Sequence, residues 1–238
     1  MNFYIGVDPS LSSTGIIVLK EQDLYASVNI VRSKSKEDGV YTSNFIYIPG
    51  DVHSSSKVGY DLSMNIWEVM GYAHAVGHAV EELYRSMLFA TGADGTPNIY
   101  LGIEIPMGSH VGAGAKVDRA FTVFVLTMFA RARAMDTLRL TSYLEYVPSQ
   151  IKKYIGKGNI KKEVVIKEVY KRWGYDTNIN DLADAYALAR LVEHTAMEAD
   201  DDAHRIGQDN AGAAVKKARP TAEAERRSKK CTAVAAEG

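Results

Sequence analysis

The hydrophobic period changes along this chain, and the order of the changes restricts what it can fold into. Near the N-terminus apolar residues recur at every second position: Phe3, Ile5 and Val7 alternate with Tyr4, Gly6 and Asp8, the pattern of a half-buried strand. Pro9, Ser10, Ser12 and Ser13 interrupt it, and residues 14–19 resume it as a second strand. Residues 25–31 read as a third strand and 45–48 as a fourth fragment, with polar loops expected at 32–39 and 50–59. From 61 to 89 the spacing becomes three and four, through Leu62, Ile66, Val69, Ala73, Val76, Val80, Leu83 and Met87, which predicts a helix. Residues 99–105 form a short apolar run, expected as a buried strand. Residues 115–135 read as a helix apolar nearly all round, which predicts burial on more than one side. A strand at 143–147 stops at Pro148, and helices follow at about 148–154, 161–173 and 180–195.

Early strands followed by alternating helices and strands predict an α/β fold with a mixed sheet flanked by helices. With 238 residues the chain is long enough for one well-packed domain, placed at residues 1–195. Residues 196–238 change character: they are rich in alanine and charge, from the acidic Asp200, Asp201 and Asp202 to the basic Lys216, Lys217, Arg226, Arg227, Lys229 and Lys230. Too few large apolar residues remain there to build a core, so a mobile, disordered C-terminal tail is expected. The single cysteine, Cys231, excludes an intrachain disulfide. No segment approaches the roughly 20 apolar residues of a membrane span, and no secretory signal is visible. A soluble, cytoplasmic protein is expected, in the host cytoplasm if the source is viral. The net charge of -1 does not by itself point to a nucleic-acid partner.

Four acidic residues stand where a folded core is reluctant to hold charge. Tyr4, Gly6 and Asp8 share one face of the first strand, and Tyr100, Gly102 and Glu104 share one face of the later strand. If these strands are neighbours, the two carboxylates emerge side by side, and the glycines before them leave room for a metal or a backbone. Asp181 and Asp184, three apart on a predicted helix, project from one face. Each has a plain structural explanation when taken alone. Asp8 suits a turn before Pro9, Glu104 suits a strand-end charge paired with an arginine, and Asp181 suits a helix N-terminus. Together they point to a metal site, because clustered carboxylates repel and are costly to bury unpaired. Hard oxygen ligands without histidine or cysteine favour Mg2+, with Mn2+ as a substitute. Two such ions about 4 Å apart suit phosphodiester hydrolysis.

The segment Gly6-Val7-Asp8-Pro9-Ser10 with Thr14-Gly15 resembles the first catalytic strand of the RuvC-type Holliday junction resolvases. Ile103-Glu104 resembles their second acidic strand, and Asn180-Asp181-Leu182-Ala183-Asp184-Ala185 with the alanine-rich stretch after it resembles their terminal acidic helix. Pro148-Ser149-Gln150-Ile151-Lys152-Lys153, followed by Gly156, Gly158 and Lys162, is similar to the basic segment before that helix. The resemblance runs from about residue 3 to 195 in these four blocks. It implies an RNase H-like fold, a mixed five-stranded sheet flanked by helices. It also implies a homodimeric, metal-dependent endonuclease that resolves four-way (Holliday) DNA junctions by paired phosphodiester hydrolysis, in DNA recombination and repair. Carried over residue by residue, Asp8, Glu104, Asp181 and Asp184 hold the metal, Lys162 acts near the scissile phosphate, and Lys152 or Lys153 matches a second family lysine. The chain departs from the pattern in an expanded polar stretch before the long helix. It departs again at Pro106-Met107, where the bacterial enzymes carry an aromatic residue used at the junction.

Residues 151–173 carry Lys152, Lys153, Lys157, Lys161, Lys162, Lys167, Lys171 and Arg172 against Glu163 and Glu168, a concentrated positive surface suited to phosphates. The candidate DNA contacts are Lys152, Lys153, Lys157, Lys161 and Lys162, joined by Lys116 and Arg119 beside a glycine-rich loop at 109–114. His74 and His78 lie four apart, but no Glu follows His74 directly as a zinc protease motif requires. Three other readings compete. The first is a broader branched-DNA or flap nuclease. The second is a sugar-kinase or actin-like ATPase, whose duplicated domain and second phosphate turn have no counterpart here. The third is a non-catalytic DNA-binding scaffold, against which the presence of all four carboxylates argues.

Overall fold

The structure is a computed structural model. It describes all residues except 11–12, 38–39, 50–65, 93–94, 106–115, 157–159 and 219–238, and it does not describe the side chains of 32–37, 40–49, 66–68, 116–123, 162 and 200–218. The chain order is β1 (Asn2–Asp8), β2 (Ser13–Lys20), β3 (Asp23–Glu37), β4 (Val40–Pro49), α1 (Ile66–Thr91), β5 (Asn98–Glu104), α2 (Lys116–Thr137), β6 (Leu140–Tyr146), α3 (Pro148–Ile155), α4 (Lys162–Trp173) and α5 (Asn180–Ala218). The strands form one mixed sheet in the order β4-β3-β2-β1-β5-β6. β1, β2, β3 and β4 pair antiparallel in succession, while β5 pairs parallel with both β1 and β6. Parallel neighbours need crossover connections, and α1 and α2 supply the helices in them.

The mixed sheet flanked by helices is the expected fold class, with a further strand, β4, added at the β3 edge of the other five. The loop expected at 32–39 is largely strand: β3 continues to Glu37 and pairs with Val40 at the head of β4. The sequence between them is Asp38-Gly39, the composition that favours a two-residue hairpin. The serines and lysines of 32–36 resemble a loop in composition, yet an edge ribbon tolerates polar residues.

Strand alternation divides the sheet into two faces. Phe3, Ile5 and Val7 of β1, Ile16 and Val18 of β2, Val28 and Ile30 of β3, and Ile99, Leu101 and Ile103 of β5 point to one side and are buried. There they pack against Tyr72, Val76, Val80, Leu83 and Met87 of α1 and Leu126, Ala130 and Ala134 of α2. Burying each such Val, Leu or Ile contributes about 1.5–3 kcal/mol. Helix α2 is less enclosed than its composition predicts. Among its described side chains, Leu126, Thr127, Ala130 and Ala134 are buried, but Phe124, Phe129 and Met135 are exposed.

The opposite face receives the first turns of α5, and glycine sets the distance. A Cβ placed on Gly6 would collide with the Ala185 carbonyl oxygen and lie 2.6 Å from the Ala189 nitrogen. One on Gly15 would strike the Asp181 carbonyl, and one on Gly102 would strike the Val192 side chain. Helix α5 therefore crosses β2, β1 and β5 in turn, and its residues Leu182, Ala183, Ala185, Leu188, Ala189 and Val192 are buried.

Two units can be distinguished, Met1–His194 and Thr195–Gly238. The stretch expected as a tail begins as helix, since α5 runs on to Ala218, and residues 219–238 lie outside the described residues. No helix among the described residues is long and apolar enough to cross a membrane.

The glycine contacts predict a graded response to added methyl groups. Gly6→Ala and Gly15→Ala meet backbone, which cannot rotate away, and each should destabilise the fold by about 1–3 kcal/mol. Gly102→Ala meets the end of a side chain and should cost less. Thermal unfolding of the three variants checks this order, and a Gly6→Ala protein as stable as wild type would contradict the packing.

Candidate active site

Asp8 is the last residue of β1 and Glu104 the last of β5. Val7 and Ile103 are partners in the parallel ladder, so the next residue of each strand puts the two carboxylates side by side. Both belong by alternation to the face that α5 covers, and on the same two strands the rings of Tyr4 and Tyr100 stack with centroids 5.2 Å apart. Asp8 is buried and Glu104 half-buried.

The third and fourth carboxylates arrive on α5. Asp8 pairs across the antiparallel ladder with Gly15, and the space above Gly15 is occupied by the backbone of Asp181 and Leu182. The first turn of α5 thus sits one strand away from Asp8. Asp181 and Asp184 are both buried, each 8% exposed. Ser13, two residues before Gly15 on the same face of β2, donates its hydroxyl hydrogen to Asp181 Oδ2. Asp181 also lies in the first turn of its helix, where the dipole favours a negative charge.

The turn after Asp8 is held from the other side of the sheet. Thr14 is fully buried, and its Oγ1 lies 2.9 Å from the Tyr72 hydroxyl of α1. The same Oγ1 accepts from the Ser10 amide at 3.4 Å. Burial pushes the Tyr72 hydroxyl well above the ordinary tyrosine range, and the Asp8 charge adds to the shift against an opposing effect of the Thr14 hydrogen bond.

Four carboxylates supply the hard-oxygen donors of a divalent cation. Among the described residues, however, no three His, Cys, Asp or Glu side chains converge closely enough to enclose a metal ion. The backbone brings the four to one end of one face; the side chains as they stand do not close around a common point. His74 and His78 are exposed on α1.

The basic residues are distributed over several elements. Lys152 and Lys153 stand in the last turn of α3, half-buried and exposed respectively, and Lys161 precedes α4 and is exposed. Lys162 opens α4, and Lys116 and Arg119 lie in the first turn of α2, but their side chains are outside the described residues. Lys157 and the glycine-rich loop 109–114 also lie outside them. Aromatic packing joins α3 and α4 to α5. Tyr154 stacks on Trp173 at 6.1 Å, Trp173 lies 5.9 Å from Tyr186, and Tyr186 stacks on Tyr175 at 4.4 Å. Arg190 of α5 binds Glu193 at 2.8 Å, the Tyr186 hydroxyl at 2.9 Å and the Gln22 carbonyl at 2.6 Å.

Sequence reasoning missed Ser13, Thr14 and Tyr72 as supports of the carboxylates. Their partners are 168 residues away for Ser13 and 58 for Thr14, and no local pattern marks such pairs.

The raised Tyr72 ionisation has a testable sign. The unfolded chain loses this proton near the ordinary value of about 10, before the folded chain does, so Tyr72 supports the fold below that pH and the support fades above it. Tyr72→Phe should lower stability at neutral pH through the lost hydrogen bond and flatten the decline between neutral pH and about pH 11. Chemical denaturation across that range measures both; an alkaline slope unchanged in the variant would refute the assignment.

No protein-family model matches the chain, and no curated protein matches it. Among solved structures it is similar to Thermus thermophilus RuvC, with 18% sequence identity, 81% of this chain and 93% of that chain covered, and a TM-score of 0.39. It is also similar to T. thermophilus RuvC in complex with a Holliday junction substrate, with 16% identity, 81% and 92% covered, and a TM-score of 0.42.

Proposed function

We propose that this chain is a divalent-metal-dependent nuclease that cuts branched DNA, with the four-way junction as its principal substrate. The observation that carries this reading is the meeting of two strand-end carboxylates, Asp8 and Glu104, with two from the first turns of α5, Asp181 and Asp184, at one end of one sheet face. Acidic side chains gathered at such a place destabilise a fold unless a cation or a partner offsets their repulsion. Asp8, Glu104, Asp181 and Asp184 would hold Mg2+, or Mn2+ in its place. The ion would supply charge stabilisation at the phosphate and an activated water. Lys162 would assist at the phosphate, while Lys152, Lys153, Lys157 and Lys161, with Lys116 and Arg119, would contact the DNA backbone. A four-way junction has two equivalent strands to cut, which suits a homodimer. Phe124, Phe129 and Met135, exposed on α2, are the proposed contact between the copies.

Cleavage of a mobile four-way junction, beside duplex, flap and single-stranded controls, tests the activity. Paired symmetric nicks in the junction that need Mg2+ and vanish in Asp8→Asn are expected. Equal cutting of every branched form would keep the nuclease and remove the junction preference, and no metal-dependent cutting of any substrate would refute the enzyme.

Metal binding is separable from cleavage. At a hundredfold excess over its Kd, Mg2+ should stabilise the wild-type fold by about 2.7 kcal/mol. Thermal unfolding of Asp8→Asn and Asp184→Asn should respond far less, and equal shifts in all three proteins would move the ion elsewhere.

A further inference from the structure

Strand β3 outlasts its neighbour β2 at the end of the sheet where the acidic residues gather. One row across the sheet runs Asp8, Gly15, Asn29 and Ile48 on β1, β2, β3 and β4. Strand β2 begins just past that row, with Ser13 opposite Val31. Residues 32–37 of β3 run on without β2 and pair with β4 alone. At about 3.3 Å per residue, this ribbon of two strands continues about 20 Å past the end of β2. It starts from the margin where Asp8 and Glu104 end their strands and where Ser13 holds Asp181.

The ribbon's charge is as uneven as its placement. Arg32, Lys34 and Lys36 occupy alternate positions of β3 and so share one strand face. Their cross-strand partners are Phe45, Ser43 and Tyr41, and Glu37 is the sole acid in residues 32–37 and 40–49. Opposite charges across a ladder stabilise it. This ribbon forgoes them and concentrates positive charge in a chain of net charge -1. The same strand face carries Val28 and Ile30, which belong to the core with α1. Helix α1 runs antiparallel to β3, since Tyr25 meets Ser86, and Thr14, opposite Ile30, meets Tyr72. Its first residue, Ile66, stands about 9 Å before Tyr72 along the helix, whereas Lys34 stands about 13 Å past Ile30 along the strand. Helix α1 therefore stops short of the Lys34 and Lys36 positions.

We propose that the β3–β4 ribbon is an arm that grips DNA beside the acidic end, with Arg32, Lys34 and Lys36 binding backbone phosphates. The proposal rests on the reading under Proposed function for the identity of the polyanion. The register sets the reach. Arg32 and Lys36 lie three and seven residues past the Asp8 row, on a strand two places from β1. Their backbone positions are then about 14 and 25 Å from that of Asp8. At 3.4 Å per step of one DNA strand, the arm meets phosphates about four to seven nucleotides from one held at Asp8. Contacts of this kind orient the substrate and carry no sequence information.

Binding of the full chain to a four-way junction, followed by fluorescence anisotropy across a salt series with Ca2+ in place of Mg2+, tests the arm. Each phosphate contact adds about 0.9 to the slope of log K against log salt, so Arg32→Gln, Lys34→Gln and Lys36→Gln together should reduce that slope by about 2.7. Lys20→Gln, Arg85→Gln and Arg139→Gln together remove the same charge from the opposite end of the sheet, where Lys20 pairs with Phe3, Arg85 precedes the Ser86 contact to Tyr25, and Arg139 precedes β6. That protein should keep the wild-type slope. Equal reductions in both proteins would make the effect one of net charge and overturn the proposal. An unchanged slope in the ribbon variant would also overturn it, and a changed sedimentation mass beside it would give the ribbon to a second copy of the chain. Should the triple variant fail to fold, Lys34→Cys in a Cys231→Ser background carries the test. A thiol tether stepped along the phosphates of one junction arm should be captured by Lys34→Cys and not by Lys20→Cys in that background; capture by neither or by both overturns the arm. A reduced slope in the ribbon variant, with no Mg2+-dependent cutting by the wild type, would keep the arm and refute the nuclease. A wild type that binds no DNA would refute both.

Discussion

The contact on which the rest of the molecule depends is the meeting of α5 with the bare backbone of three strands. At Gly15, Gly6 and Gly102 the helix comes closer than any Cβ would permit, and the small residues Ala185 and Ala189 stand where it meets Gly6. The acidic residues follow from this approach. Asp181 and Asp184 stand where the helix first meets β2, and Asp8 and Glu104 stand where β1 and β5 end. Without the glycines the helix would ride higher, and the two pairs would no longer share one end of the face.

The two sides of the sheet divide the labour. One side is apolar and continuous, with α1 and α2 covering Ile5, Val7, Ile16 and Ile103. A polar contact enters it where Tyr72 meets Thr14, directly behind the turn that follows Asp8. The other side carries the charge. Its far margin is fixed by a different kind of contact, in which Arg190 joins Tyr186, Glu193 and the Gln22 carbonyl, and the rings of Tyr154 and Trp173 tie α3 and α4 to the same helix. Helix α5 thus links the lysine-bearing helices to the acidic end of the sheet.

Much of this was legible in the sequence because local pattern governs it. Period two placed Asp8 with Gly6 and Glu104 with Gly102 on single faces, and the three-residue spacing of Asp181 and Asp184 required one helix face. The β3–β4 ribbon was legible only in the strands read at 25–31 and 45–48. Its extension between them was not, because Ser33, Lys34, Ser35 and Lys36 have loop composition and only Asp38-Gly39 signals the hairpin. The helical stretch beyond residue 195 escaped for a related reason: alanine and charged residues build no core, yet they continue a helix already nucleated upstream. The supports Ser13, Thr14 and Tyr72 were hidden for a deeper reason. Each matters through a partner that only the strand register or the helix crossing brings near, and neither has a local signal.

The glycine contacts also set a mechanical tolerance. Where a helix rests on a sheet through interlocking side chains, its height varies with rotamer hops and with every exchange of one apolar residue for another. At Gly6 and Gly15 the bearing surface is backbone on backbone, which has no rotamers and no substitutes. The height of α5 over β1 and β2 is therefore fixed by covalent geometry, and an acidic pair mounted on it inherits that stiffness. The same stiffness narrows the routes open to evolution: a larger residue at either glycine has no smaller partner to trade against, so the spacing can persist while the residues around it diverge.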